Sequence, residues 1–459
     1  MIKAIRGTRD LLPPDTDLWN RVEATVRDLF ARYSFHEIRT PVFEDTQLFS
    51  RSVGEDTDIV SKEMFTWEDR ARAGSGGASD AGLTSGSGFG GGSAPGAGFA
   101  DGTGYGGGRG QSLTLRPENT AGVVRAYIEH QLDKVGKLQK LYYIGPQFRR
   151  ERPQKGRYRQ FYQIGAEIIG PSSAGSESPA RDAEVLEMLA TLLDELGLRG
   201  WTLQLNSVGC AADRARYNQA LRDALKPVVA TMCADCQRRA ETNPLRVLDC
   251  KVPEDQPIIE NLPKISEYLD DACRENFAQV RAMLDAVGVP YTINERMVRG
   301  LDYYTRTTFE FTHGDLGAQS AVLGGGRYDG LSESLDGPKA PGIGFAIGED
   351  RLILALQAEG ITADAPLDAY IAPLGEGMNP HALKLASELR RAGVRADLGD
   401  GTFRLKKSFE AAEKAGAKYI VIVGGNEVQS ETFTVKELGT GKQEPVARAN
   451  LAEYLRRSH

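Results

Sequence analysis

The sequence contains few residues of the kinds that cross-link secreted proteins or carry out covalent catalysis. Among 459 residues there are only five cysteines and five histidines. An odd number of cysteines in a long chain without an apolar leader argues against a disulfide framework and predicts reduced thiols. No Ser-His-Asp or Cys-His arrangement is evident among these few histidines. The sequence therefore gives no support to a covalent mechanism.

Long apolar runs are also missing. No stretch approaches the roughly 20 apolar residues that a membrane-spanning helix needs, and the N-terminal MIKAIRGTRDLLPPD has no secretory core. We therefore expect a cytoplasmic protein without membrane contact. The formal net charge of −7 argues against a broad positive field for nucleic acid. Any RNA contact must therefore be local.

Three of the cysteines lie close together in sequence. Cys233 and Cys236 form a CxxC pair, and Cys250 follows 14 residues after the second. Zinc sites of this type use four ligands, and no histidine lies near enough in sequence to supply the fourth. We therefore predict free thiols in a helical region and no metal site from motifs alone. Metal binding by these thiols is the less favoured alternative.

Residues 71–110 differ in composition from the rest of the chain. Glycine accounts for 17 of these 40 residues, and aliphatic side chains are nearly absent. Such a segment buries too little apolar surface to offset its ordering entropy. We expect a disordered surface loop between a strand ending near Trp67 and another beginning at Leu113. No GxxxxGK[ST] follows, so these glycines do not indicate a phosphate loop.

Hydrophobic periodicity predicts the secondary structure of other parts of the chain. Residues 18–33 and 181–199 have the spacing of helices, and residues 36–44 predict an extended segment whose Pro41 favours an edge or a subunit contact. Residues 211–287 predict helices interrupted by prolines, which indicates a helical insertion.

The pattern changes after Pro366. Strands and helices alternate there, which predicts a small α/β domain with a mostly parallel sheet. The predicted strands are 369–373, 395–398 and 419–423, and the predicted helices are 381–392 and 403–415.

Residues 141–170 predict two strands joined by a basic loop. Six of the eleven residues Arg149–Arg159 are lysine or arginine. On one face of the second strand, the amide of Gln163, the gap at Gly165 and the carboxylate of Glu167 lie beside this cationic loop. Such a face suits a small zwitterion next to a polyphosphate. A half-exposed hairpin with a solvated basic turn is the alternative. In the second strand, alternation puts on one face Phe161, Gln163, Gly165 and Glu167.

Another predicted strand runs from Pro341 to Gly348 and precedes an apolar helix. A strand face without side chains admits a flat group close to the backbone, and Arg351 at the helix start suits a ring or a phosphate. Close packing against another backbone explains the same pattern equally well. The residues that share the face are Gly342, Gly344, Ala346 and Gly348.

Three further segments carry polar groups. RGLDYYTRTTFEF, residues 299–311, predicts a loop with Arg299 followed by a strand, and GGGRYDGL, residues 324–331, predicts a tight glycine turn. Adjacent tyrosines at a strand start should point to opposite faces, so we expect at most one of them in a given pocket. Residues 113–130 predict a strand ending in Glu118 and then a helix. Glu118 either binds an ammonium group or caps that helix.

These segments together resemble the signature motifs of class II aminoacyl-tRNA synthetases, and the strings are similar to those of bacterial histidyl-tRNA synthetases. TPVFEDTQLF resembles motif 1, FRRERPQKGRYRQFYQIGAEIIG resembles motif 2, and GIGFAIGEDR resembles motif 3. RGLDYY and GGGRYDGL resemble the two histidine-specific motifs. The resemblance covers nearly the whole chain except the glycine-rich insert.

The resemblance implies an α/β protein with an α+β catalytic core, in which an antiparallel sheet is flanked by helices. The core would comprise residues 1–205 and 290–360, with the disordered insert at 71–110. A helical insertion domain would occupy 206–289, and a C-terminal α/β anticodon-binding domain 366–459. Motif 1 implies a homodimer, which would account for Pro41.

The resemblance also implies an activity, in which L-histidine is activated with ATP and Mg²⁺ and then transferred to the 3′ end of histidine tRNA. Arg149 and Arg299 match the arginines that hold the substrate carboxylate and α-phosphate, with both catalytic. Glu118, Thr120 and Gln163 are similar to the ammonium ligands. Glu167 with Tyr303 or Tyr304 is similar to the imidazole readers. The implied ATP ligands are Arg149, Glu151, Arg157 and Arg351.

The chain departs from the family pattern at three places. Asn119 stands in RPENT where RPEGT is more usual, Asp350 is the shorter acid in GEDR where GLER is usual, and the glycine-rich insert is foreign. Two other functions fit part of the pattern. A non-catalytic paralogue, such as the regulatory subunit of ATP phosphoribosyltransferase, typically lacks the insertion and anticodon domains. A synthetase for proline, threonine or glycine lacks the RGLDYY context.

Overall fold

The chain forms three β-sheets in a computed structural model that describes residues 2–54, 57–69, 111–314, 321–362 and 367–456. The loop predicted at 71–110 lies outside the described residues. Two compact units are distinguished, one of residues 1–10 and 25–359 and the other of residues 11–24 and 360–459. Among the described helices, none has the length and apolar content to span a membrane.

Among the described residues before 360, there are ten α-helices and eleven strands. The strands are β1 (His36–Glu37), β2 (Phe43–Asp45), β3 (Phe65–Asp69), β4 (Gln111–Leu115), β5 (Gln139–Phe148), β6 (Gln160–Ile169), β7 (Trp201–Ser207), β8 (Tyr291–Ile293), β9 (Thr305–His313), β10 (Ala321–Arg327) and β11 (Gly342–Gly348). The helices are α1 (Asp15–Arg32), α2 (Thr46–Val53), α3 (Thr120–Glu129), α4 (Pro179–Glu195), α5 (Ala211–Leu225), α6 (Ala234–Thr242), α7 (Gln256–Glu260), α8 (Asp271–Val287), α9 (Leu331–Ser334) and α10 (Glu349–Ala358).

Eight strands form the main sheet, in the order β1-β5-β6-β11-β10-β9-β7-β8. The pairings from β5 across to β7 are antiparallel, and the outer pairs β1–β5 and β7–β8 are parallel. Helices α4 and α10 pack against this sheet. A second, antiparallel sheet has the order β2-β4-β3. The predicted antiparallel core flanked by helices is confirmed.

The glycines at 324–326 lie within β10, and the tight turn predicted for them is wrong. β10 pairs with β9 on one side and β11 on the other, and Gly324 lies opposite Ala346. Glycine marks both turns and places where another group approaches the backbone, so the local signal is the same. Here the approaching group is the guanidinium of Arg299, because a Cβ on Gly324 would lie 2.6–2.7 Å from its atoms.

The segment between β7 and β8 is helical, as the prolines and periodicity predict. Helices α5 to α8 lie here, and the chain between them forms short 3-10 turns. Its buried residues form a core of their own, which includes Tyr217, Leu221, Cys236, Val247, Leu262 and Cys273. The 3-10 turns are Val229–Thr231, Pro244–Asp249, Pro253–Asp255 and Ile265–Glu267.

The C-terminal unit is the predicted α/β domain, with its sheet in the order β13-β12-β14-β15-β16. Two of the four strand pairings are parallel and two are antiparallel, so the expected predominance of parallel pairing is wrong. The strands are β12 (Leu367–Pro373), β13 (Ala396–Leu398), β14 (Ala417–Val423), β15 (Thr432–Glu437) and β16 (Gln443–Ala447). The helices are α11 (Asn379–Arg391), α12 (Leu405–Lys414), α13 (Gly425–Ser430) and α14 (Arg448–Arg456).

A fully buried ion pair connects the main sheet to α4. Arg327 ends β10 and pairs with Asp182, and neither side chain is exposed. Arg327 also donates to the carbonyl oxygen of Ser176 at 2.9 Å and pairs with Asp329 at 3.0 Å. The guanidinium is therefore satisfied without water, and its removal from water is offset only while these partners remain.

We predict that Asp182→Asn lowers the free energy of unfolding by about 3–5 kcal/mol, because it leaves a buried arginine short of charge compensation. The matched control is Asp336→Asn, which breaks the exposed pair of Asp336 with Arg51. This control should cost less than about 1 kcal/mol. Urea unfolding of both variants measures the difference, and equal losses would contradict the stabilising role of the buried pair.

Candidate active site

A cavity of about 220 Å³ opens over the central strands β6, β11 and β10. Gly165 on β6 lies beside Ala346 on β11, which lies beside Gly324 on β10. Because these positions carry at most a methyl group, the side chains of Tyr143 and Arg299 can lie directly over Gly165 and Gly324. Ten of the eleven predicted site residues line this cavity: Glu118, Thr120, Arg149, Glu151, Arg157, Gln163, Arg299, Tyr303, Tyr304 and Arg351.

The eleventh predicted residue, Glu167, does not line the cavity and lies buried behind the residues that do. Its side chain is fully buried, and its Oε1 accepts a hydrogen bond of 2.7 Å from the hydroxyl of Thr120. The neighbour of Glu167 on β11 is Gly344, where any Cβ would overlap the Glu167 carboxylate. Glycine at 344 therefore accommodates a carboxylate. Another glycine of this face, Gly342, accommodates the ring of Tyr328 in the same way.

The buried carboxyl groups at this end of the cavity resist ionisation. Burial raises the pKa of Glu167 to about 8, although the hydroxyls of Thr120 and Tyr328 oppose this and the neighbouring Glu118 adds to it. Burial also raises the pKa of Glu118, against the backbone N–H groups that it accepts from. A bound ammonium or N–H donor would stabilise the charged forms of both groups. This end of the cavity is therefore suited to a cationic or donor-rich ligand.

Of the two interpretations that the sequence left open for Glu118, the structure shows helix capping, and ammonium binding stays a prediction. Strand β4 ends at Leu115, three residues earlier than predicted, so Glu118 belongs to the loop before α3. Its oxygens accept hydrogen bonds from the backbone N–H groups of Thr120, at 2.8 Å, and Ala121, at 2.9 Å. The carboxylate thus caps the helix, and it also lines the cavity.

Both tyrosines of RGLDYY line the cavity, so the expectation of at most one is wrong. They precede β9, which begins at Thr305, and alternation between sheet faces does not apply to them. The rings of Tyr303 and Tyr304 lie 4.8 Å apart between centroids, and Tyr303 makes an edge contact of 6.0 Å with Tyr328. An aromatic wall therefore stands beside the buried carboxylates.

Arg299 provides a fixed positive charge beside Tyr304. Its guanidinium lies against Gly324 and pairs with Glu310 on β9. Burial alone would lower the pKa of Arg299, but Glu310 and Tyr304 raise it above the ordinary value. Arg299 is therefore a permanent cation whose position is set by β9 and β10.

The remaining arginines gather around the basic loop. Arg149 donates to the carbonyl oxygen of Pro117 at 2.9 Å, and Arg157 pairs with Glu151 at 2.9 Å. Burial and the nearby charge of Arg157 lower the pKa of Arg351. An anion bound beside these cations would relieve the repulsion between them. Within the basic loop, Arg149 and Arg157 line the cavity, and the solvated-turn alternative does not describe these two.

Three lining or supporting residues were not singled out from the sequence. Tyr143 on β5 stands over Gly165, where a Cβ would overlap its hydroxyl, and Tyr328 follows β10. Glu310 holds Arg299. The sequence alone does not identify these residues. A tyrosine or glutamate in a strand is recognised as part of a site only when the glycine or arginine that it contacts is known.

The two single-residue departures from the family pattern make specific contacts. Asp350 pairs with Arg9 at 2.6 Å and accepts from the backbone N–H of Tyr162 at 3.1 Å. Asn119 accepts from the hydroxyl of Thr40 at 2.7 Å. Each side chain therefore takes part in positioning the loops around the cavity.

Comparison with known proteins agrees with this arrangement. A family model described as histidyl-tRNA synthetase matches residues 107–352, and one described as an anticodon-binding domain matches residues 368–458. The histidine–tRNA ligase of Koribacter versatilis is 72% identical over 456 residues, which cover 99% of this chain and 96% of the relative. That of Solibacter usitatus is 53% identical over 456 residues, with 99% of each covered.

Solved structures give the same result. The crystal structure of the apo histidyl-tRNA synthetase of S. aureus aligns over 100% of both chains, with 36% identity and a TM-score of 0.73. Sequence identity, matched domains and a shared fold thus extend over the same residues that build the cavity, and the chain belongs to the histidyl-tRNA synthetase family.

Proposed function

We propose that this cavity activates L-histidine with ATP, giving histidyl-adenylate and pyrophosphate, and that the histidyl group is then transferred to the 3′ end of histidine tRNA. The observation that carries the proposal is the distribution of charged groups in and beside the cavity. Glu118 and Glu167 interact with each other and with the tyrosines, whereas Arg157 and Arg351 interact with each other beside Glu151, and apart from Glu167 all of these groups line one cavity. This arrangement complements an amino acid bound head to tail with a polyphosphate.

The carboxyl groups would bind the side chain and ammonium group of histidine. Glu118, Thr120 and Gln163 offer oxygen acceptors to the ammonium. Glu167, with Tyr303 or Tyr304, would accept the N–H of the imidazole ring. Selectivity follows because a site built around buried acceptors rejects analogues that leave them unpaired.

The arginines would bind the reacting groups. Arg149 and Arg299 would hold the histidine carboxylate beside the α-phosphate, while Glu151, Arg157 and Arg351 would bind ATP. A carboxylate oxygen of histidine attacks the α-phosphorus, the bond to the β-phosphate oxygen breaks, and pyrophosphate leaves with the electron pair. Arg299 lowers the barrier because its fixed charge faces the charge that develops at the phosphorus.

Mg²⁺ would accompany ATP beside these arginines. The carboxylates that interact with Arg351 are Glu310 and Glu151, and oxygen is the ligand that Mg²⁺ prefers. Both are already paired with arginines, so they would hold the ion only together with phosphate oxygens. When bound, the ion supplies charge neutralisation on the polyphosphate.

The remaining proposals concern assembly and domains. We propose a homodimer formed through the β2-β4-β3 sheet, because Phe43 and Trp67 are exposed there and their rings lie 6.1 Å apart. Residues 1–205 and 290–360 would form the catalytic core, 206–289 the insertion domain and 366–459 the anticodon-binding domain. We propose the cytoplasm as the location, because tRNA charging takes place there.

Pyrophosphate exchange with each of the standard amino acids in turn tests the function. We expect exchange that depends on histidine alone. A synthetase for proline, threonine or glycine would respond to that amino acid instead. No exchange with any amino acid would identify a non-catalytic paralogue and contradict the proposal.

We predict that Arg299→Ala slows adenylate formation by about 10²–10³-fold while histidine binding stays measurable, because the lost charge acts mainly in the transition state. Arg299→Lys keeps the charge without the planar guanidinium and should recover part of the rate. Single-turnover pyrophosphate release measures the step. A near-normal rate in the alanine variant would rule out the catalytic role.

The C-terminal unit generates a prediction about tRNA. Lys406 and Lys407 are exposed at the start of α12, beside exposed Arg404. Replacing both lysines by glutamine should weaken tRNA binding and reduce the slope of log affinity against log salt by about one per lost phosphate contact. Pyrophosphate exchange should stay unchanged.

The control replaces two other exposed lysines of the same unit, Lys384 and Lys442, by glutamine. This control changes the net charge equally. If both double variants weaken binding to the same extent, the contact is a general effect of charge, and the assignment to α12 fails.

A further inference from the structure

Three thiols and a carboxylate meet inside the helical insertion. Cys233 and Cys236 flank the start of α6, Cys250 follows the 3-10 turn Pro244–Asp249, and Asp255 ends the next turn. The four ligand atoms, one from each side chain, all lie within 4.8 Å of one another. The fourth ligand that the sequence lacked is therefore an aspartate five residues beyond the last cysteine.

The spacing of these atoms is that of a tetrahedral metal site. The Sγ atoms of Cys233 and Cys250 are 3.9 Å apart, and Cys250 Sγ lies 3.2 Å from Asp255 Oδ2. Ligands at zinc's usual bond lengths, on the corners of a tetrahedron, are separated by about 3.8 Å between two sulfurs and about 3.5 Å between sulfur and oxygen. The side chains are thus already arranged around a point where an ion fits.

The charge of this cluster also calls for a cation. Asp255 is 2% exposed, and its oxygens accept from the backbone N–H of Cys233, at 3.2 and 3.3 Å, and from the thiols of the three cysteines. In the part of the chain that the structure describes, no lysine or arginine pairs with it. A buried carboxylate without a cation is costly, and metal coordination is one of the ways in which proteins compensate it.

The same domain contains a second group of similar composition, whose carboxylates do not lack other partners. Its members are Cys210, Asp213, Asp270 and Cys273. Asp213 pairs with Arg216 and accepts from the backbone N–H groups of Cys210 and Asp270. Asp270 caps α8 by accepting from the N–H of Cys273 at 2.7 Å. Its carboxylates are therefore committed to helix ends and an arginine, so this group supplies a matched control.

We propose that Cys233, Cys236, Cys250 and Asp255 bind one Zn²⁺ ion. Thiolate-rich tetrahedral sites favour zinc over the harder divalent ions. Four protein ligands leave no open position, so the ion is structural, and thiol protons are released to solvent when it binds.

The site is connected to the catalytic loop through one arginine. Arg246 lies in the turn between Cys236 and Cys250, and donates to the carbonyl oxygens of Arg299, at 3.2 Å, and Gly300, at 3.1 Å. In the same turn region, Asn243 donates to Asp302 at 3.1 Å. Zinc would therefore fix the turn that holds the backbone of Arg299. This second step rests on the proposed function, whereas the metal site itself does not.

The test begins with the full-length protein, purified without chelator and analysed for metal by mass spectrometry. We expect about one zinc per chain. Replacing zinc with Co²⁺ should give thiolate-to-cobalt charge-transfer absorption and the visible bands of a tetrahedral ion. A chain without zinc that also gives no such absorption with added Co²⁺ would overturn the proposal.

Variants locate the site. Asp255→Asn, which keeps the size of the side chain, and Cys250→Ser should each weaken zinc affinity at least about tenfold in competition with a chromogenic chelator. The control Cys210→Ser/Cys273→Ser removes two thiols of the other group and should keep the wild-type affinity. Loss of zinc in the control but not in the first two variants would move the site and contradict this assignment.

Activity tests the connection to Arg299. Removal of zinc should slow adenylate formation about tenfold or more, with recovery when Zn²⁺ is restored. If zinc is bound at the four named residues and its removal leaves the rate unchanged, the link through Arg246 is refuted while the metal site stands. If no amino acid supports pyrophosphate exchange in the zinc-bound protein, the proposed function fails independently of the metal.

Discussion

The candidate active site is built around a buried carboxyl group, that of Glu167 on β6. The main sheet holds it where water does not reach it. Burying an unpaired charge is among the most costly arrangements in a protein, so the group stays largely protonated until a partner arrives. The fold provides space for it at Gly344 on β11 and a hydroxyl partner, Thr120, at the first turn of α3. These contributions come from distant segments, so the completed sheet is a precondition for the site.

The same cost of burying charge applies to the arginines of the cavity, which are positively charged. Burial and the nearby charge of Arg157 lower the pKa of Arg351, and Arg299 is placed against the bare backbone of Gly324 and paired with Glu310. Both sets of groups are therefore organised around charges that a ligand completes. A zwitterionic amino acid placed between them has its ammonium toward the carboxyl groups and its carboxylate toward the arginines, which is the orientation that attack on a phosphorus requires.

Much of this could be predicted from local patterns, and the errors have a common cause. Alternation in β6 put Gln163, Gly165 and Glu167 on one face, because a two-residue period is a property of a single strand. The turn predicted for the glycines at 324–326 was wrong, since Gly324 leaves room for Arg299, a residue 25 positions earlier in the chain. Asp255 carried no local signal at all. Such residues are defined by neighbours that only the folded chain brings together.

The central claim is that Glu167 becomes charged when histidine binds. With its pKa raised to about 8 by burial, the free carboxyl group is mainly protonated at pH 7, and a bound N–H donor lowers that pKa, so the proton must leave. Calorimetric titration of histidine at pH 7, in buffers of different ionisation enthalpy, counts the protons exchanged. The account predicts release approaching about one proton per site, falling as pH rises through 8 and lost in Glu167→Gln. Binding without proton release, or equal release in that variant, would contradict it.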